Sequence, residues 1–161
     1  MANTKFNLKN PVHFFALGFG SGLLSPAPGT WGTLMSIPVY CGLVAILPEG
    51  LTSYLSMLLA TFLIGVYLCG QTADDVGEHD HGAIVWDEFV GFFVTMTLVS
   101  PSWQNIVIGF VLFRLFDIVK PWPIKLLDKH VHGGVGIMID DMLAGVFSGV
   151  ILYFMQPYIV F

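Results

Sequence analysis

Apolar residues run along this chain in long blocks separated by short polar clusters rich in proline, glycine and acidic residues. Residues 11–24 are apolar but too few for a helical bilayer crossing, which takes about 20 residues, so they predict an interfacial or re-entrant segment. The "SPAPGT" that follows (25–30) holds two prolines and a glycine and predicts a break. Residues 31–48 predict a first membrane helix. "LTSYLSMLLATFLIGVYLCG" (51–70) predicts a second, uncharged and of full length. A third apolar block runs from Ile84 to Ser100 and turns at "PSWQ". A fourth covers Gln104 to Val119, with Arg114 and Asp117 in its last turns. A fifth runs from Ile137 through Tyr153, with Asp140 and Asp141 in its first turn. The expected fold is all-α: an integral membrane bundle of four to five hydrophobic helices, one domain over residues 1–161. Several blocks fall short of a full crossing, which predicts tilt or burial inside the bundle.

Composition sharpens this picture. The chain is 55% hydrophobic and 11% charged, with mean hydropathy +0.79, whereas soluble domains carry about 25% charged residues. Such a chain cannot clothe a water-facing surface in ionic groups. A net charge of −5 gives no electrostatic support for a nucleic-acid partner. Cys41 and Cys69 both lie inside apolar blocks and read as packing residues. The N-terminal region imitates a signal peptide, with Lys5 and Lys9 ahead of an apolar run. Prolines on both sides of Ala27 would hinder cleavage there, so the segment is expected to be retained.

The basic residues set an orientation. Lys5 and Lys9 precede the first helix, and Lys120, Lys125 and Lys129 lie between the fourth and fifth. The short turns "PEG" (48–50) and "PSWQ" (101–104) hold neither Lys nor Arg. Five helices with a cytoplasmic N-terminus satisfy the positive-inside tendency and put residues 1–30, 72–86 and 120–139 on the cytoplasmic side. Ten of the eleven acidic residues then gather at that face, all except Glu49. Loops at a membrane face are polar anyway, but ionisable groups embedded in helix ends are costly and usually face a cavity or partner.

Two acidic pairs open apolar helices: Asp87-Glu88 and Asp140-Asp141. A helix N-terminus tolerates negative charge through its free N–H groups and dipole, which is one complete explanation. The other is convergence on a hard divalent cation, since Mg²⁺ takes carboxylate oxygens while keeping waters and binding phosphate. The glycines of "GGVGIMIDD" (133–141) suit backbone approach to a phosphate. Arg114, Asp117 and Lys120 follow at three-residue spacing on one helix face. They read either as a ladder closing the helix before Pro121 or as a cationic clamp for phosphate. "HDH" (79–81) and "HVH" (130–132) could bind zinc but read as polar loop residues. The signatures of phosphoenzyme-forming phosphatases are absent, so metal-activated water is the more economical mechanism for phosphate release.

Four segments in order carry a family resemblance: "GFGSGLLSPAPGTWGT" (18–33), "QTADDVGEHDHGAIVWDEFVG" (71–91), "RLFDIVKPWPIKLLD" (114–128) and "GGVGIMIDDMLAG" (133–145). Over nearly its whole length the chain resembles the bacterial phosphatidylglycerophosphatase A family. The resemblance implies a Mg²⁺-dependent lipid phosphatase of the bacterial inner membrane, converting phosphatidylglycerophosphate in the bilayer to phosphatidylglycerol, with no obligatory protein partner. On that footing the chemistry assigns Asp87, Glu88, Asp140 and Asp141 to Mg²⁺ and the attacking water, with Asp87 the candidate general base. Arg114 and Lys120 are expected on the phosphate, with Asp117 orienting them and Thr30 and Thr33 offering hydroxyls from the loop before the first helix. Asp75 and Asp80 are second-tier candidates. The rivals are a small transporter or ion-binding membrane protein, with the acidic cluster as its cation path, and an assembly subunit with structural charges only.

Overall fold

A computed structural model describes residues 6–79 and 81–159, with the side chains of 127–129 left aside. Asp80 therefore lies outside the described residues. Helix α1 (Pro11–Ala16) starts where the Asn10 side chain accepts the Val12 N–H, with Pro11 in the first turn where its missing donor costs nothing. A 3₁₀ segment (Gly18–Leu23) follows through left-handed backbone at Gly18, Phe19 and Gly20. Neither piece is long enough to cross a bilayer. Both fold back on the bundle, and the Ala16 carbonyl accepts the Val85 N–H at 2.9 Å.

Helix α2 spans Pro28–Ile46 and α3 spans Leu51–Val76. The expected break at 25–30 is shorter than the sequence implied, because Pro28 sits at the start of α2, where proline is tolerated. Thr30 and Thr33 therefore belong to the first turns of a helix, not to a loop. Helix α3 runs six residues beyond its apolar block, until left-handed Gly77 stops it. That extension carries Asp75, whose carboxylate meets Nε2 of the buried His13 at 3.0 Å and ties α1 to the top of α3.

The third apolar block departs furthest from expectation. Helix α4 covers only Trp86–Thr95, about 15 Å of helix against a hydrocarbon core of about 30 Å. It is not a lipid-facing span. Every residue from Trp86 to Phe93 is buried, and α7, α2, α3 and α5 all pack around it. Its first turn lies halfway along α3, where Trp86 Nε1 donates to the Thr61 carbonyl at 3.2 Å. Beyond it, Thr97 Oγ1 donates to Val94 O at 2.8 Å, and residues 96–101 continue to the end of the bundle where Gly50 and Leu51 turn.

Helix α5 (Trp103–Val119) is capped by the Ser102 hydroxyl, which accepts the Asn105 N–H. A short helix α6 (Ile124–His130) lies within the stretch 120–139, between the fourth and fifth apolar blocks. Helix α7 (Gly133–Met155), closed by a 3₁₀ turn (Gln156–Tyr158), begins four residues earlier than its apolar block. Asp140 and Asp141 thus lie about two turns inside α7 rather than in its first turn, and the free N–H groups of a helix start do not account for them. Gly134 and Gly136 lie within the helix rather than in a loop before it, and Gly133 opens it in left-handed backbone.

Among the described residues, three helices (α2, α3 and α7 with its closing turn) are long and apolar enough to cross a membrane. Leu59, Leu63 and Tyr67 of α3 and Val111 and Ile118 of α5 point outward, more than half exposed, as side chains do when the surrounding solvent is hydrocarbon. In that solvent, apolar burial does not drive helices together, so close backbone packing must. Small residues supply it between α4 and α7. A Cβ on Gly145 would stand 2.4 Å from the Gly91 carbonyl oxygen, and one on Gly149 would stand 3.0 Å from the Thr95 carbonyl oxygen.

Candidate functional site

The glycine contacts of α4 and α7 decide where the acidic residues meet. Asp87 and Glu88 occupy the first turn of α4, where the sequence had placed them. With Gly91 packed on α7, one oxygen each from Asp87, Glu88 and Asp141 comes within 4.8 Å of the other two. The three residues are 7%, 8% and 2% exposed. At that separation each pair of ionised carboxylates repels by about 3.5 kcal/mol for an effective dielectric near 20. Three such pairs reach roughly 10 kcal/mol, comparable with the whole stability of an ordinary domain. Something must neutralise the group.

Arg114, from α5, does part of this. Its Nη1 is 3.8 Å from Glu88 Oε1, donates to Asp117, and lies 3.4 Å from the Thr33 hydroxyl of α2. Thr33 in turn donates to the Gly29 carbonyl at 2.8 Å. With Asp117 included, four carboxylates face one guanidinium, a balance of −4 + 1 = −3 if all are ionised. Glu88 Oε2 and Asp141 Oδ2 are buried and accept no hydrogen bond. Oxygen-only donors, excess negative charge and buried lone pairs are what a hard divalent cation requires, so Asp87, Glu88 and Asp141 fit Mg²⁺ or Mn²⁺ far better than zinc.

Asp140 does not join them. Adjacent residues on a helix point about 100° apart, and Asp140 turns its carboxylate to Lys120, with Oδ2 2.5 Å from Nζ. The expected four-carboxylate set is three in the structure. Nor does Lys120 continue the Arg114–Asp117 ladder, because α5 ends at Val119 and Lys120 leaves the helix in left-handed backbone. Thr30 is half-buried in the first turn of α2. Asp75, held by His13 and Gln71 at the top of α3, stands apart from the three carboxylates. His79 and His132 come together, ring centroids 5.6 Å apart, but His79 Nε2 already accepts the Gly133 N–H.

The family model described as Phosphatidylglycerophosphatase A matches residues 14–156. The chain belongs to this family. It is 53% identical over 155 residues to the Phosphatidylglycerophosphatase A of Escherichia coli K12, covering 96% of this chain and 88% of that one. It is 47% identical over 153 residues to the Phosphatidylglycerophosphatase A of Haemophilus influenzae, covering 94% of this chain and 93% of that one. No solved structure matches.

One residue of the site carries no clear signal in the sequence. Gly29 falls in the expected break at 25–30, yet a Cβ there would lie 2.3 Å from Glu88 Oε1 and 3.1 Å from both terminal nitrogens of Arg114. It lets the start of α2 close over the Glu88–Arg114 contact. A glycine directly after a proline at a helix start is a weak signal for such a role, because helix starts accept glycine for many reasons.

Proposed function

We propose that this chain is a phosphatidylglycerophosphatase, removing the terminal phosphate of phosphatidylglycerophosphate to leave phosphatidylglycerol. The observation that carries this reading is the buried Asp87–Glu88–Asp141 group beside Arg114, in a chain about half identical to proteins of that name. The enzyme works from the bacterial inner membrane with its site on the cytoplasmic side, the orientation the lysines favour.

Asp87, Glu88 and Asp141 would hold Mg²⁺. The ion supplies charge neutralisation on phosphoryl oxygens and a lowered pKa for water. The residues of the chain do the rest. Asp87 takes the proton of the attacking water on a carboxylate oxygen. The P–O bond to the glycerol oxygen breaks as the water oxygen bonds to phosphorus, and the departing alkoxide gains a proton to become the hydroxyl of phosphatidylglycerol. Arg114, pinned by Asp117 and Thr33, offers its fork to the phosphoryl oxygens where charge accumulates. The bundle around α4 excludes bulk water, which strengthens each of these contacts.

The test is phosphate release by the purified protein in mixed micelles of phosphatidylglycerophosphate, with EDTA and then with added Mg²⁺. Release that stops in EDTA and returns with Mg²⁺ is expected. Undiminished release in EDTA would remove the cation from the mechanism, and no release in any divalent cation would remove the activity.

A further inference from the structure

The site holds two cationic side chains in unlike settings. Arg114 is deep, its side chain 13% exposed, and touches Glu88 of the three-carboxylate group. Lys120 is 26% exposed and is held by Asp140, whose side chain is 6% exposed. Its backbone is left-handed, φ 42° and ψ 61°, in a residue that is neither glycine nor asparagine and precedes a proline, a strained conformation. The chain thus spends stability to turn this one amine off the α5 face and onto α7.

The offset between the two stations follows from the helix. Asp140 and Asp141 are neighbours on α7, and their side chains diverge by about 100°. On a helix about 11 Å across its side chains, this separates their carboxylates by roughly 8 Å. The substrate proposed above carries two phosphates, a terminal monoester and a diester, joined through a three-carbon glycerol. The six bonds between the phosphorus atoms equal two extended residues, about 7 Å. With the monoester at Asp87, Glu88 and Asp141, a second phosphate reaches about as far as Asp140, the residue that holds Lys120.

We propose that Lys120, held in place by Asp140, contacts the phosphodiester that survives the reaction, and so selects lipids bearing a second phosphate three carbons from the one removed. This rests on the reading of the three carboxylates as the site of the terminal phosphate. Lys120 is then a specificity residue, and Asp140 a positioning residue acting through it rather than a metal ligand. The Lys120 side chain is 26% exposed where Asp140 holds it, so its ammonium can be approached by a diester oxygen from outside the bundle.

The test compares wild type with Lys120→Met, Lys120→Gly and Asp140→Asn, all full-length in mixed micelles. Lys120→Gly suits the left-handed backbone, so it folds at least as well as wild type and controls for misfolding. The first readout is inhibition of phosphatidylglycerophosphate hydrolysis by phosphatidylglycerol, which keeps the diester, and by inorganic phosphate, which lacks it. Both Lys120 variants are expected to raise the inhibition constant of phosphatidylglycerol by about ten- to a hundred-fold, the loss of one charge-assisted hydrogen bond. The constant for inorganic phosphate should move less than about three-fold by the same reasoning, since no contact to it is lost. Asp140→Asn should shift the ratio in the same direction. The second readout is Mn²⁺ binding by calorimetry, in which Asp140→Asn should match wild type while Asp141→Asn weakens it. Equal losses for both inhibitors would place Lys120 on the transferred phosphate and overturn the proposal, as would no change for either. Loss of Mn²⁺ binding in Asp140→Asn would make Asp140 a ligand. A wild-type protein inert on phosphatidylglycerophosphate would instead defeat the underlying activity, while its Mn²⁺ binding still reports on Asp140.

Discussion

Gly29→Ala separates the site from the fold more sharply than any change to a charged residue. The added methyl would lie 2.3 Å from Glu88 Oε1, so the carboxylate must retreat by about 1 Å to regain ordinary van der Waals separation. The atom that yields is the end of a flexible side chain, so the fold gives way cheaply. Alanine inside a helix even gains up to about 1 kcal/mol over glycine. The reaction has no such freedom, because a 1 Å misplacement of a reacting group costs on the order of 100-fold, about 2.7 kcal/mol of transition-state stabilisation. The expected variant melts at or above the wild-type temperature and loses about two orders of magnitude in kcat/KM. Thermal unfolding in detergent and phosphate release on phosphatidylglycerophosphate measure the two halves. Turnover within three-fold of wild type, in a stably folded variant, would show that Glu88 does not act where it stands.

The remaining predictions concern groups the structure brings together. Asp87→Asn and Asp141→Asn should each lower Mg²⁺-dependent phosphate release by about 1,000-fold while the protein still fractionates with membranes; near-wild-type turnover by either removes that residue from the site. Arg114→Lys keeps the charge but loses the fork that meets Asp117 and Thr33 together. A fall of about 100-fold in kcat is expected, read by steady-state kinetics. Gly145→Ala drives a methyl into the Gly91 carbonyl, a backbone atom that cannot swing aside. It should cost about 1–3 kcal/mol of stability, visible as a lowered melting temperature before any kinetic measurement.

Much of the architecture could be read from apolar blocks and punctuation, because a lipid-facing helix must be continuously apolar and its ends must be polar. The third block misled for a physical reason. Composition registers that a segment avoids water but cannot distinguish hydrocarbon from neighbouring helices, and α4 is surrounded by helices. The early start of α7 was hidden because "HGGVG" reads as a turn by glycine content, although one of its glycines serves contact with α3: a Cβ on Gly134 would meet the Val66 carbonyl at 1.9 Å. The acidic pairs were visible as costly residues at one face, and Asp87, Glu88 and Asp141 do converge. The separation of Asp140 from Asp141 needed the helix phase, which an acidic doublet does not reveal until the helix start is known. Gly29 was invisible because its role is to be small, and an absent side chain leaves no mark on a composition or a charge pattern.

The seam of Gly91, Gly145 and Gly149 has a mechanical consequence. Backbones that touch cannot slide past each other without collision, so α4 and α7 move as one body and the spacing of Asp87 from Asp141 travels with it. Arg114 and Thr33 ride on α5 and α2, which are joined to that body by side chains. A change in bilayer thickness, or a shift from bilayer to detergent, will tilt these outer helices before it disturbs the inner pair. Host-lipid composition should therefore tune how tightly the lipid headgroup is gripped while leaving cation affinity nearly constant.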